Sequence, residues 1–236
     1  CKADIFEDKY RVISQLKWLS DEIEKNISEI GDNEKMLRLY RIHKRVLLVL
    51  APWNFDSYML YVEWERDPDK KFYVPRREAL RDVVDALQDL ADDKLDILGV
   101  SLPPGVGKST LAMFYLTWIA GRDPNKPALT GSHSNAFIRG IYDECLRVFD
   151  PSGEYLWSDV FSGLSVTSTN AKDCRIDIDR RQRFETLEFT SIGTGNAGLY
   201  RAMSLLYCDD LVSGLEVALS KERLDKLWGV YTTDLR

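Results

Sequence analysis

Two stretches of this 236-residue chain carry residue types whose spacing could do chemistry. The first is Pro103-Pro104-Gly105-Val106-Gly107-Lys108-Ser109-Thr110. Gly105 and Gly107 allow the backbone to turn its N–H groups inward. With the N-terminus of a following helix, they make a nest for phosphate oxygens. Lys108 is long enough to reach the β- and γ-phosphates as a point charge, and the Ser109 hydroxyl is suited to magnesium. The full pattern G-x-x-x-x-G-K-[ST] asks for glycine at the position held by Leu102, so Pro103 and Pro104 must set the loop entry instead. The expected nucleotide-binding residues are therefore Pro104, Gly105, Val106, Gly107, Lys108, Ser109 and Thr110, with ATP and Mg2+ as the cofactors. The competing reading is a chance G-x-G-K-S in a surface turn. An apolar run before it and an apolar helix after it count against chance.

The second stretch is Leu205-Leu206-Tyr207-Cys208-Asp209-Asp210. A phosphate loop needs an acid at the carboxyl end of a neighbouring strand, and Asp209 stands there as the expected metal ligand beside Ser109. Asp210 is placed to orient or deprotonate an attacking water, which makes Lys108 and Asp210 the expected catalytic residues. Two acids opening a turn before Ser213-Gly214 would look the same in sequence. Weaker marks are Arg139, either an arginine finger or an exposed helical residue, and Phe72, Tyr73, Arg76 and Arg77, which would border an adenine or simply pack. Lys172 to Arg183 holds a mild basic excess that reads as a solvated face. His43 and His133 have no partners at ligand spacing, so neither is assigned a metal.

These residues need elements to hold them. Ile13, Leu16, Leu19, Ile23 and Ile27 recur at helical spacing, as do Met36, Leu39, Ile42, Val46, Leu47 and Leu50, with Gly31-Asp32-Asn33 between. That predicts a helical hairpin over residues 8–50. A further helix is predicted over residues 76–91. Leu95 to Leu102 reads as a buried parallel strand running into the loop, and Leu111 to Ala120 as the helix after it. Ala128 to Ser132 predicts the next strand, followed by a helix from Asn135 to Phe149. Residues 175–179 and 184–189 alternate around Arg180-Arg181-Gln182 as a hairpin does. Leu205 to Cys208 predicts a buried strand, and residues 215–235 a closing helix. The predicted architecture is α/β, a phosphate-loop NTPase with a mostly parallel, doubly wound sheet. Residues 1–66 form a helical segment ahead of it, and residues 67–236 form the ATPase domain.

Composition narrows the class without choosing a function. The chain is 44% hydrophobic and 30% charged, near globular averages. No run of 18 apolar residues appears, and the start lacks the apolar core of a signal peptide, so a soluble, unsecreted chain with no membrane partner is expected. Cys1, Cys145, Cys174 and Cys208 lie far apart with no C-x-x-C pair, which argues against a zinc site or a disulfide framework. The net charge of −6 does not advertise a nucleic-acid binder. A local basic strip or a ring assembly would be needed to supply a positive face.

The run Ile97 to Ser109 resembles the deviant Walker A motif of tailed-bacteriophage terminase large subunits, in which a Pro-Pro pair often replaces the leading glycine. Asp209-Asp210-Leu211-Val212, with Glu216 to Ser220 and Arg223 to Trp228 behind it, looks like their Walker B and its trailing helix. Gly193-Thr194-Gly195-Asn196-Ala197-Gly198 is similar to their glycine-rich segment, and Ser132-His133-Ser134 also fits. The resemblance covers about residues 70–236. It implies an ATPase that drives double-stranded DNA into a procapsid, working as a homo-oligomeric ring on the portal protein with a small terminase subunit. The implied place is the host cytoplasm, transiently at the procapsid portal. Full-length relatives continue into a nuclease domain. Only 26 residues (236 − 210) follow Asp210, so the ATPase half alone is expected. Gly105 stands where many relatives carry a loop arginine, and Asp210 where some have Glu. The alternatives are a phosphate-loop small-molecule kinase, for which Arg180, Arg181 and Arg183 would have to be the lid cluster, and a non-hydrolysing ATP switch.

Overall fold

The computed structural model describes residues 2–29, 33–191, 202–212 and 215–232. The glycine-rich segment at 193–198 and the Ser213-Gly214 pair lie outside them. The chain divides into two compact units, Cys1–Val106 with Glu154–Val160, and Gly107–Gly153 with Phe161–Arg236.

The first unit is helical. Helices α1 (Lys2–Glu29) and α2 (Asn33–Leu50) form the expected hairpin. Ile23 packs with Val46 and Leu50, and Ile13, Leu16, Ile27 and Leu39 close around them. Helix α3 (Phe55–Val62) was not legible from periodicity, because Phe55, Tyr58, Met59, Leu60, Tyr61 and Val62 are all buried and no polar stripe marks a face. Its start is marked by Asn54, whose side chain accepts from the Ser57 N–H at 3.0 Å. Helix α4 (Arg77–Ala91) follows as predicted.

Phe72, Tyr73, Arg76 and Arg77 are spent on this unit's packing. The Phe72 and Tyr73 N–H groups donate to the fully buried Glu63 carboxylate at 2.8–3.1 Å. Arg77 makes two hydrogen bonds of 2.8 Å to Asp56 and two more to Glu24. His43 is also buried, 2.9 Å from the Ser20 hydroxyl, and burial lowers its pKa.

The predicted strand at Leu95 to Leu102 does not form. Those residues join no sheet among the described residues, and Ile97 is 86% exposed. Apolar spacing shows that a segment can form a strand; it does not supply the neighbour whose backbone must pair with it.

The second unit is α/β. Helix α5 (Lys108–Arg122) leads to β1 (Ala128–Ser132) and α6 (Asn135–Phe149). The short α7 (Trp157–Val160) belongs to the first unit. Strands β2 (Val166–Asn170), β3 (Arg175–Ile178), β4 (Leu187–Ser191) and β5 (Leu205–Asp209) complete one sheet in the order β2-β3-β4-β1-β5. Strand β1 is parallel to both β4 and β5, while β2 with β3 and β3 with β4 are antiparallel. The sheet is thus mixed, not mostly parallel, because β2, β3 and β4 follow one another as antiparallel neighbours, through a short turn at 171–174 and a longer loop at 179–186. Strand β5 is half-exposed at the sheet edge, not fully buried as predicted. The predicted closing helix is two: α8 (Leu215–Ala218) and α9 (Lys221–Val230), broken where Ser220 caps α9 by accepting from the Arg223 N–H at 3.3 Å. Helix α5 is buried along Leu111 to Gly121. A Cβ at Gly121 would lie 2.4 Å from the Phe161 ring, so only glycine fits there.

Glu188 on β4 is 1% exposed, yet it is ionisable. It accepts from the Glu185 N–H at 3.0 Å and pairs in register with Arg175. Burial first, then the neighbouring Glu185 carboxyl, push its pKa well up. A carboxyl whose folded pKa is raised binds its proton more tightly when folded. Its stabilisation is full below the ordinary value of 4.5 and is lost as pH rises through the raised value. Thermal melts should therefore fall from pH 5 toward pH 9, and Glu188→Gln should flatten that fall. An equal slope in the two proteins would remove Glu188 from this role.

Candidate functional site at the carboxyl ends of the parallel strands

Ser132 of β1 lies in register with Asp209 of β5 on one side and Ser191 of β4 on the other. Three parallel strands therefore end together, and a crevice outside the carboxyl ends of such strands is where α/β sheets hold ligands. The N-termini of α5 and α6 open at the same place. A cavity of about 310 Å3 is lined by Lys108, Ser109, Ser132, His133, Ser134, Phe137, Asp209 and Asp210. That volume is at the small end for a ligand pocket, about 300–1,000 Å3.

Each lining side chain has a local reason to be there. Gly107 caps α5 in the left-handed region at φ 99°, a conformation that costs a side chain but not glycine. Lys108 is the first residue of the helix, and the Leu111 N–H closes its first turn on the Gly107 carbonyl at 2.9 Å. Ser109 follows it, exposed, and Thr110 is half-buried. Ser134 caps α6 by accepting from the Phe137 N–H at 3.2 Å. Two helix N-termini thus face one cavity, and each favours negative charge. Pro104, Gly105 and Val106 belong to the first unit; Gly105 also has a positive φ, 82°.

The electrostatic centre is an ion pair. The Lys108 Nζ lies 2.6 Å from Asp209 Oδ1, with side-chain exposures of 43% and 7%. The two residues are 101 positions apart in sequence, and the structure brings them together. On the same strand, the Tyr207 hydroxyl is buried with no hydrogen-bond partner among the described residues, and burial keeps it protonated.

Asp210 lies beyond the end of β5 with φ 47°, left-handed backbone that a non-glycine residue adopts at a cost of about 1–2 kcal/mol. Its carboxylate is 66% exposed. What holds it is His133, a residue the sequence reading left without a role. The His133 N–H donates to the Asp210 carbonyl at 3.3 Å, and its Nδ1 makes a short contact with the same oxygen. A carbonyl only accepts, so Nδ1 carries the proton. Nδ1 also lies 3.8 Å from Asp210 Oδ2. The signal available in sequence was the position of His133 directly after a strand and before a helix cap.

The weaker marks fall elsewhere. Arg139 is exposed on α6. Arg180 donates to Asn125 at 2.7 Å, Arg181 to Ser168 at 3.3 Å, and Arg183 lies over the Phe184 ring. Those three arginines tie loops together and form no cluster aimed at a ligand. Among the described residues no group of three or more His, Cys, Asp or Glu could hold a metal ion, and no helix is long and apolar enough to cross a membrane. Magnesium carried on a polyphosphate needs only one or two protein oxygens, its remaining positions going to phosphate and water. Asp209 and Ser109 match that demand. Comparison with family models, with curated proteins and with solved structures finds no match to this chain.

Proposed function

We propose that the second unit is a phosphate-loop nucleotide-binding fold that hydrolyses ATP, and that the chain is the ATPase part of a viral DNA-packaging motor. The observation that carries the nucleotide reading is the Lys108–Asp209 pair at 2.6 Å in a cavity faced by two helix N-termini. In this reading Lys108 swings from Asp209 to the β- and γ-phosphates. The α5 N-terminus, from Gly107 to Thr110, holds phosphate oxygens on its backbone N–H groups. Asp209 and Ser109 would hold a magnesium ion, which would supply neutralisation of charge on the phosphates. Asp210 orients the attacking water and takes its proton, while His133 fixes the turn that aims it. The DNA, portal and small-subunit partners, the ring, and the place at the procapsid portal rest on the sequence resemblance alone.

Phosphate release with Mg·ATP, measured with and without duplex DNA and portal protein, tests the whole reading. Stimulation by DNA supports the motor. Transfer of phosphate to a small acceptor would support a kinase instead. Absence of any release would remove the hydrolase.

Within the site, Asp210→Asn should lower turnover by about 10²-fold or more with ATP still bound. His133→Ala should lower turnover with little change in KM. Asn at position 133, whose amide N–H can replace Nδ1–H, should restore part of it, and Gln should not. Rescue by Gln and not by Asn would instead put the role on Nε2, in contact with the ligand.

A further inference from the structure

The first unit exposes two rows of opposite charge on two helices. On α2, Arg38, Arg41 and Arg45 are exposed, and spacings of three and four put them on one face over about 10.5 Å of axis. On α4, Glu78, Asp82 and Asp85 are exposed, with spacings of four and three. Among the described residues none of these six side chains makes an ion pair or hydrogen bond. The α2 row extends to Val49, four residues after Arg45 and 57% exposed.

The two patterns match when one helix is reversed. Arg38 then meets Asp85, Arg41 meets Asp82 and Arg45 meets Glu78, with the intervals three and four in both. One opposite charge borders each row, Glu34 on α2 and Arg81 on α4. A phosphate backbone would satisfy the arginines, but it would leave the acidic row without a counterpart. A second copy of this chain supplies both rows.

We propose that α2 of one molecule docks antiparallel on α4 of another. The contact joins two unlike surfaces, so it either closes as a two-fold pair that makes it twice or runs head to tail into a ring or a filament. The residues involved lie outside the nucleotide site, so this interface stands or falls independently of the proposed ATPase.

Exposed ion pairs are individually weak and are screened by salt. The 27.2 kDa chain should therefore show a mass that rises with concentration at about 10 mM salt, where the screening length is about 30 Å. It should return to the monomer at about 1 M, where that length is about 3 Å. Sedimentation equilibrium reads this directly. The variant Arg38→Glu/Arg41→Glu/Arg45→Glu, and separately Glu78→Arg/Asp82→Arg/Asp85→Arg, should each remain monomeric at low salt. Their equimolar mixture should associate again, because each row now finds its opposite only on the other chain. That restoration also shows both variants are folded. The single-pair swap Arg41→Glu with Asp82→Arg in one chain should associate as the unsubstituted protein does. A wild-type chain that stays monomeric in low salt, or reversed variants that associate like wild type, would overturn the proposal. So would a mixture that stays monomeric. An arginine-reversed variant of unchanged mass that loses binding to a duplex oligonucleotide would reassign the row to nucleic acid.

Discussion

Replacing Lys108 with alanine is expected to stop phosphate release while leaving the fold in place. Lys108 is the first residue of α5, 43% exposed, and its side chain pairs with Asp209. Removing it leaves the nearly buried Asp209 carboxylate without its cation and removes a charged hydrogen bond to phosphate, worth about 1.5–3 kcal/mol in binding. Charge developing on the transferred group is left unbalanced as well, and the loss of one such donor costs about 10²–10³ in turnover. The variant should therefore fall by at least that factor, and its melting temperature should drop because the Asp209 carboxylate is left unpaired. The control is Lys108→Ala with Asp209→Asn, which removes the uncompensated carboxylate. If release persists at wild-type rate in Lys108→Ala, the chemistry lies elsewhere.

The second large effect is on stability and lies in the first unit. Glu63 is fully buried, and its carboxylate accepts from the Phe72 and Tyr73 N–H groups and from Arg66 at 2.7 Å. It therefore anchors the segment that starts α4 as well as a guanidinium that is itself only 13% exposed. Glu63→Ala leaves the Phe72 and Tyr73 N–H groups without their acceptor, and leaves Arg66 with Glu154 as its remaining carboxylate. Breaking a buried charge pair from one side costs about 3–5 kcal/mol. Denaturant titration followed by tryptophan fluorescence should show that loss. Glu63→Gln, which keeps an acceptor, should lose less. Equal losses in the two variants would show that the negative charge, not the size or a neutral acceptor, is what Glu63 supplies.

Much of the frame was legible in the sequence because amphipathic spacing reports which face must be covered. The α1–α2 hairpin, α4 and α6 all carry a polar and an apolar face, and each forms where the spacing places it. Helix α3 carries no such contrast, since nearly every side chain in it is buried. The segment from Leu95 to Leu102 failed for the opposite reason: its side chains suit a strand, but strand formation depends on a partner that local sequence does not encode. At the site, Lys108 and Asp209 could be paired in advance from the chemistry expected of those residue types, and the two side chains meet. His133 could not. Its contribution depends on Asp210 turning through left-handed backbone so that its carbonyl meets the imidazole, a consequence of register between β1 and β5 that spacing along the chain does not reveal.

The central claim is that Lys108 and Asp209 bind a nucleoside triphosphate with magnesium. Calorimetric titration of ATP into the intact chain, with magnesium and with a chelator, tests it most directly. One site is expected, tighter with magnesium than without. The magnesium dependence should disappear in Asp209→Asn, and most of the affinity should disappear in Lys108→Ala. No heat of binding under any condition, or the same affinity in all three proteins, would contradict it.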